Sequence, residues 1–320
     1  MLRRRQSALT ALVGAALLLA MLVVLAGHRE EFADAMDGIA YWTLAAAVAL
    51  HVTGLVARSE AWTVCVRAAG ATISRRCAYQ VASLGFAANI ITTSLGTAVR
   101  IAALRRVAPD RTPKAPTLVA AEVPALAIQI AFGAAMSFTL VGPLDAPWWT
   151  PLAVLAAAAL LLLGLRRLAV SHTSGVWQGL AVLRCRRDRL VVGGSVGVVI
   201  GCQIARNILL LHAVGLPASP LDATAMLIGV GVLGALPVGP GTGAGAAMLI
   251  FGAEGVGPAA AAGVLLTATG VVGDLFYAAW GGADAFWRNC PVRSRVLPRA
   301  VDVVAGVVCV GVAASVAGCV

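Results

Sequence analysis

The stretch CAYQVASLGFAANIITTSLGTAVRIAALRRV, at residues 77–107, decides how this chain folds. It is apolar enough to enter a bilayer, yet basic pairs lie at 75–76 before it and at 105–106 at its end. Lys and Arg in short loops mark the cytoplasmic side of membrane proteins. We therefore predict that residues 77–107 enter the membrane from the cytoplasm and return to it as a re-entrant helical hairpin.

The centre of this stretch has the chemistry of a helix break. Residues 91–97, ITTSLGT, contain four hydroxyl side chains and Gly96. Hydroxyl groups and glycine can cap and connect two short helices. Each arm of ~10–14 residues would reach roughly 15–20 Å, about the bilayer midplane. The alternative is a chain of nine simple spans, which would place the basic residues of 105–114 and 166–189 outside.

The composition indicates an all-α integral membrane protein. Of the 320 residues, 60% are hydrophobic and 12% are charged, which is more apolar surface than a soluble core can bury. The net charge of +10 would also suit a nucleic-acid partner. However, all basic residues except Arg29, Arg100 and Arg206 fall into five clusters between apolar stretches. The charge is therefore better explained by cytoplasmic loops that face anionic lipid headgroups, with no nucleic acid bound.

The residue types used in catalytic and metal sites are not grouped. The seven cysteines are scattered without a CxxC motif, and the four histidines are not clustered. This pattern supports neither a metal site nor a disulfide framework, and it implies no cofactor. No Ser/His/Asp or paired-carboxylate constellation stands out, so we do not expect an enzyme.

The basic clusters and the apolar segments together predict the topology. Seven full spans are expected, at 8–26, 41–57, 117–142, 150–165, 190–214, 258–283 and 300–319. The N-terminus would be cytoplasmic and the C-terminus outside, in a bacterial-type inner (cytoplasmic) membrane. An alternative for 8–26 is a cleaved signal peptide, but its apolar stretch is longer than a usual signal core.

A second hairpin is needed to keep the later basic cluster inside. If 258–283 is a full span, residues 223–252 must enter from outside and return there. Both halves of one integral membrane domain, 1–142 and 143–320, would then contain a hairpin, and the two hairpins would be opposed. Such an inverted repeat is typical of transporters with a site near the midplane.

Arg100 is the first candidate binding residue. It lies one turn into the returning arm of the first hairpin, where a helix N-terminus carries partial positive charge and free N–H groups. Together with Thr97 it would form an anion site suited to a phosphate. The alternative is that Arg100 extends to the cytoplasmic surface beside Arg105.

Glu122, in the next span, is a candidate counter-ion to Arg100 or a proton carrier. Its alternative is an interfacial carboxylate.

A second candidate cluster lies in span 190–214. Gln203, Arg206 and Asn207 share one face of the predicted helix, and Arg206 lies too deep to reach the surface easily. Asp274, inside 258–283, is its best partner. The two could form a functional site or a purely structural ion pair. The histidines at 51 and 212 are assigned to helix surfaces or packing.

The glycine-rich run at 237–245, PVGPGTGAG, has two explanations. Its Gly241-Thr-Gly243 is similar to a phosphate-binding loop, but no strand precedes it. The run is better explained as the tip of the second hairpin, where Pro240, Gly241 and Gly243 allow tight turns and close backbone approach.

The motifs at both hairpins resemble those of a known family. Asn89-Ile-Ile-Thr followed by Gly96-Thr-Ala-Val-Arg100 is similar to Asn-x-x-Pro and Gly-Glu-x-x-Arg. Glu122 looks like an acidic residue after the next loop, and 237–243 resembles a Pro-Gly-Gly run. The family is flippase-like and related to the transmembrane domain of lysylphosphatidylglycerol synthases. The sequence departs from the family at four points: its proline, glutamate and a later arginine are replaced by Thr92, Thr97 and Val123, and residues 239–250 contain no charge where the second motif has a Glu.

The resemblance implies a membrane protein that moves an anionic phospholipid or isoprenoid-linked lipid. The candidate binding residues, taken from these motifs and from the buried charges together, are Asn89, Gly96, Thr97, Arg100, Glu122, Arg206, Asn207, Pro240, Gly241, Gly243 and Asp274. The partners would be membrane lipids. The main alternative is a non-transporting membrane subunit that holds a lipid or glycan biosynthesis enzyme in place. A third alternative is a membrane-embedded transferase that acts on a lipid phosphate.

Overall fold

A computed structural model describes residues 29–90, 93–142, 147–235, 242–251 and 255–287. Within these ranges the chain is helical and has no β-strand. The α-helices are α1 (Arg29–Asp37), α2 (Tyr41–Ala68), α3 (Arg75–Asn89), α4 (Thr93–Val107), α5 (Ala115–Ala120), α6 (Val123–Ala135), α7 (Thr150–Ser171), α8 (Arg186–Ala213), α9 (Pro220–Ala235), α10 (Thr242–Phe251) and α11 (Val256–Trp287). Short 3-10 helices are formed by Pro109–Arg111, Ser137–Leu140 and Gly175–Leu183.

Among the described residues, five segments are long and apolar enough to cross a membrane. They are Tyr41–Ala68, Ala115–Ala135, Thr150–Ser171, Arg186–Ala213 and Val256–Asp284. Each contains or overlaps one of the predicted spans between residues 41 and 283, so the prediction of an all-α, multi-pass membrane protein is confirmed. The two remaining predicted spans, 8–26 and 300–319, lie outside the described residues.

Helix α2 continues well past the predicted end of its span at residue 57. The prediction stopped there because Arg58 follows, but a charge ends an apolar run without ending a helix. Two hydroxyl groups find hydrogen-bond acceptors within the helix: Ser59 Oγ donates to Leu55 O at 2.9 Å, and Thr63 Oγ1 donates to Ser59 O at 2.7 Å. Trp62 is buried on the same stretch. The second half of α2 therefore supplies core side chains rather than a solvated loop.

The segment 115–135 is divided into two helices, whereas the sequence predicted one continuous span over 117–142. Helix α5 ends at Ala120 and α6 begins at Val123, so Glu122 lies in a break between them. Pro124 explains the break, because it lacks an N–H and disfavours helical geometry at the residue before it. The helix also ends at Ala135, before the 3-10 turn Ser137–Leu140.

Helices α3 and α4 form a short antiparallel pair. Each has 15 residues, about 22 Å long at 1.5 Å per residue and shorter than the ~30 Å bilayer core. Helix α3 begins where Ser74 Oγ accepts a hydrogen bond from the Cys77 N–H at 3.2 Å, an N-cap that satisfies one end of the helix. Their positions agree with the helix pair predicted over 77–107. Helices α9 and α10 likewise pack together within 223–252.

The chain divides into two compact units, each made of separated segments. Of the described residues, unit one holds those within Met1–Gly54, Leu126–Gly164 and Val196–Gly273. Unit two holds those within Leu55–Ala125, Leu165–Ser195 and Asp274–Val320. The core of unit one is an apolar cluster whose larger members are Leu210, Leu211, Met226, Phe251, Leu265 and Leu266. Unit two contains α3 and α4, which hold Arg100, and also α5 with the break that follows it, which holds Glu122.

Candidate functional site

The backbones of α3 and α4 touch at two glycines of unit two. A Cβ on Gly96 would overlap Asn89 Oδ1 and lie 2.5 Å from Gly85 O. A Cβ on Gly85 would lie 3.0 Å from both Arg100 Cβ and Gly96 O. Only glycine allows so close an approach without a shift of the backbone. Two predicted site residues, Asn89 and Gly96, therefore bring α3 against α4 directly beside Arg100.

Arg100 is buried in α4 and paired with Glu122. The arginine is 7% exposed, and its Nη2 lies 2.8 Å from each carboxylate oxygen and donates a hydrogen bond to Oε2. This geometry agrees with the counter-ion alternative for Glu122. It disagrees with the alternative that Arg100 extends to the surface. Ion pairs held out of water are stronger than exposed pairs because solvent screens them less.

Two aromatic rings flank the same guanidinium. Arg100 Cζ lies 5.0 Å from the centre of the Trp62 ring and 5.8 Å from that of Phe86. Both distances are within the range of cation–π attraction. Sequence reasoning missed both residues, because neither α2 nor α3 showed a motif that would connect an aromatic side chain to Arg100. The rings exclude water from the guanidinium and so strengthen its attraction for an anion.

The pocket around Arg100 contains buried polar atoms that the described part of the protein does not satisfy, and they include the acceptors Glu122 Oε1 and Asn89 Oδ1 as well as two donors. Arg100 Nε and Trp62 Nε1 are both buried, and among the described residues neither has a hydrogen-bond partner. A buried N–H without a partner costs about 1–3 kcal/mol. An anionic oxygen supplied by a ligand would remove that cost. The arrangement is therefore chemically suited to an anion, and Arg100 is its centre.

The two ends of the ion pair differ in exposure. The Arg100 side chain is 9% exposed, whereas that of Glu122 is 25% exposed. Glu122 thus forms the more open side of the pair, at the break between α5 and α6. Thr97, one turn before Arg100, is half-buried in α4.

Two carboxylates that the sequence analysis did not select fasten the start of α3. Glu60 Oε1 lies 2.8 Å from Arg75 Nη2. Asp284 accepts hydrogen bonds from Arg76 Nε at 2.6 Å and from Gln80 Nε2 at 2.7 Å. Two arginines of the basic cluster before the hairpin are therefore neutralised by the protein itself. The signal in the sequence was that Glu60 and Asp284 lie just beyond the ends of the predicted spans 41–57 and 258–283, beside basic clusters.

Arg206 forms a separate polar cluster in unit one. It is 7% exposed in α8, and its Nη1 lies 2.6 Å from His51 Nδ1. Gly273 provides room for the ring, since a Cβ there would lie 2.6 Å from His51 Cδ2. The predicted neighbour Asn207 is buried and donates to Ala223 O at 3.1 Å, which ties α8 to α9. The assignment of His51 to surface or packing missed its contact with Arg206.

The remaining predicted site residues have different outcomes. Asp274 is half-buried in α11, and its pairing with Arg206 stays a prediction. Gly243 lies at the start of α10 and packs closely, because a Cβ there would be 2.8 Å from Thr267 Oγ1. Pro240 and Gly241 lie outside the described residues. In the described ranges, no three His, Cys, Asp or Glu side chains are grouped as a metal site.

One comparison with known proteins gives a result. Residues 8–281 match the family model described as lysylphosphatidylglycerol synthase TM region. The matched range covers most of the 320 residues and includes Arg100, Glu122 and Arg206. No curated protein and no solved structure matches the chain significantly.

Proposed function

Because the chain belongs to the family of the lysylphosphatidylglycerol synthase TM region, we propose that it translocates an anionic lipid across the membrane. The lipid would be an anionic phospholipid or an isoprenoid-linked lipid. Its phosphate would meet Arg100 while its tails stay in the bilayer. The observation that carries the proposal is a buried arginine with donors to spare in a multi-pass membrane protein.

Ionisable residues within membrane segments are costly, and they commonly serve function. Arg100 lies among Trp62 and Phe86, and Glu122 engages only one of its guanidinium nitrogens in a hydrogen bond. A phosphate carries several acceptor oxygens, and a guanidinium binds it in a forked geometry. Oxygens of this kind would satisfy the N–H groups of Arg100 Nε and Trp62 Nε1. A neutral headgroup would gain less from this site.

The proposal includes the membrane topology. We propose that α3 with α4 and α9 with α10 are re-entrant hairpins that enter from opposite sides of the cell membrane. Helices of 15 residues are too short to span a bilayer singly, which supports this arrangement for α3 and α4. The N-terminus would be cytoplasmic and the C-terminus outside.

Impermeant maleimide should label single cysteines at positions 72 and 110 only after the membrane is opened. It should label position 145 in intact cells. Labelling of 110 from outside would contradict the first hairpin.

Reconstituted protein tests the activity directly. Purified protein in liposomes should move a fluorescent anionic phospholipid between leaflets. In a binding measurement, Arg100→Ala should weaken lipid binding roughly 10- to 100-fold, because it removes a charged hydrogen-bonding group. Arg100→Lys should recover part of the binding, because it keeps the charge and loses the fork. Arg105→Ala, at an exposed position of the same helix, is the matched control and should change little.

The outcomes separate the proposal from its alternatives. Equal binding by Arg100→Ala and Arg105→Ala would remove Arg100 from the site. A folded protein that moves no lipid, but copurifies with a lipid or glycan biosynthesis enzyme, would support the scaffold alternative. Chemical modification of the labelled lipid would instead support a transferase.

A further inference from the structure

In the ion pair of unit two, the carboxylate of Glu122 is itself an anion bound to Arg100. Its carboxylate oxygens lie 2.8 Å from Arg100 Nη2, the place that the proposed function gives to a headgroup phosphate. We propose that Glu122 is an internal competitor, and that the anionic headgroup displaces it from Arg100 each time a lipid binds. This inference rests on the proposed function of Arg100, and it concerns how the same site binds and releases its ligand.

Displacement of Glu122 by the phosphate is favoured over binding of both anions at once, because one guanidinium carries only one positive charge. A phosphate beside the Glu122 carboxylate would place two negative charges a few Å apart, where burial makes their repulsion strong. The unpaired N–H groups of Arg100 Nε and Trp62 Nε1 are also buried in the paired arrangement. A ligand oxygen can reach them only after a neighbouring side chain moves. The more exposed partner, Glu122, is the side chain that can do so at the lower cost.

The location of Glu122 makes its displacement possible. It lies between Ala120 and Val123, where α5 ends and α6 begins, and so it is not held in a continuous helix. The Glu122 side chain is 25% exposed although its Oε1 is buried, so part of the side chain already borders open space in the paired arrangement. Arg100, in contrast, is held in α4 by the close contact of Gly85 with its Cβ. The arginine therefore stays in place while the carboxylate moves.

The exchange also accounts for release. A buried arginine without a counter-ion would hold an anionic lipid tightly, because release would leave an unpaired buried charge. When Glu122 returns, it removes that penalty, so the lipid can leave. Glu122 thus lowers equilibrium affinity and permits turnover. Its removal should have opposite effects on binding and on transport.

The test compares two carboxylates in similar ion pairs. Glu122→Gln keeps the size of the side chain and removes the competing charge. It should bind phosphatidylglycerol about 10- to 100-fold more tightly than the natural protein in native mass spectrometry, and it should move the labelled lipid more slowly in liposomes. Glu60→Gln is the matched control, since Glu60 is 20% exposed and lies 2.8 Å from Arg75. It should change neither quantity.

Each result either supports or overturns the inference. If Arg100→Ala loses binding while Glu122→Gln binds no more tightly than the natural protein, the competitor role is wrong and the proposed function stands. If Arg100→Ala binds normally, the proposed function itself fails. If Glu122→Gln does not fold, Glu122→Asp takes its place, because its shorter side chain weakens the pair. An increase in affinity with Glu122→Asp supports the exchange, and unchanged affinity overturns it.

Discussion

Arg100 in unit two and Arg206 in unit one are equally buried, at 7% exposure, and each contacts a different kind of side chain. Arg100 contacts a carboxylate at 2.8 Å, whereas Arg206 contacts the His51 ring at 2.6 Å. A guanidinium can only donate, so His51 Nδ1 is the acceptor in this contact. The difference teaches that burial alone does not define an anion site. Glu122 and His51 are different kinds of partner for a buried arginine, and variants of each can measure what each contributes.

The largest expected effect comes from removing the carboxylate of the first pair. Glu122→Leu leaves Arg100 buried without its counter-ion, which should lower the free energy of unfolding by about 3–5 kcal/mol. The double variant Arg100→Leu with Glu122→Leu should recover much of this loss, because it leaves no buried charge. Denaturant unfolding in detergent measures both. Strictly additive losses in the double variant would show that the two side chains do not interact.

An intermediate effect is expected from the helix contact that supports the first arginine. Gly96→Ala places a Cβ onto Asn89 Oδ1, and relief requires α3 and α4 to move apart. Overpacking of this kind should lower the free energy of unfolding by about 1–3 kcal/mol. Gly133→Ala in α6 is the control, since no heavy atom lies within 4 Å of a Cβ there. It should be neutral or slightly stabilising. Equal destabilisation by both variants would contradict the close contact of α3 with α4.

The smallest expected effect concerns His51, the imidazole partner of the second arginine. His51→Leu removes the acceptor for Arg206 Nη1 and should lower the free energy of unfolding by about 1–2 kcal/mol. The loss should be smaller than that of Glu122→Leu, because His51→Leu removes one hydrogen-bond acceptor whereas Glu122→Leu removes a charged counter-ion. His212→Leu is the control, since His212 is exposed and contacts the Ile208 carbonyl of its own helix. If His51→Leu costs as much as Glu122→Leu, the two sites are not distinguished by the kind of partner.

The sequence predicted the fold better than it predicted the contents of the site. Apolar length and basic clusters suffice for the five spans and the short helix pairs, because both are one-dimensional patterns. Arg100 and Glu122 were recognisable as rare charges in apolar segments. Trp62 and Phe86 were not, since an aromatic side chain in an apolar helix looks like ordinary core until its neighbours are known.

Sequence patterns also failed to predict the partner of His51 and the helix break at Glu122. A single histidine in an apolar helix shows no partner in its own segment, and His51 and Arg206 lie 155 residues apart in the chain. The break at Glu122 had a local signal in Pro124, but the apolar run passes through it without change. Hydropathy detects the span, whereas only the backbone geometry of proline indicates its division.

The short sequence distance between Arg100 and Glu122 has a consequence for biogenesis. The two are separated by 22 residues, and only a 3-10 helix and α5 lie between the end of α4 and the glutamate. Synthesis proceeds from the N-terminus, so the hairpin and its counter-ion leave the ribosome as one continuous piece. The contacts within that piece are local and need little loop closure. An arginine that would be costly to insert alone can thus enter the membrane already neutralised, before unit one is complete.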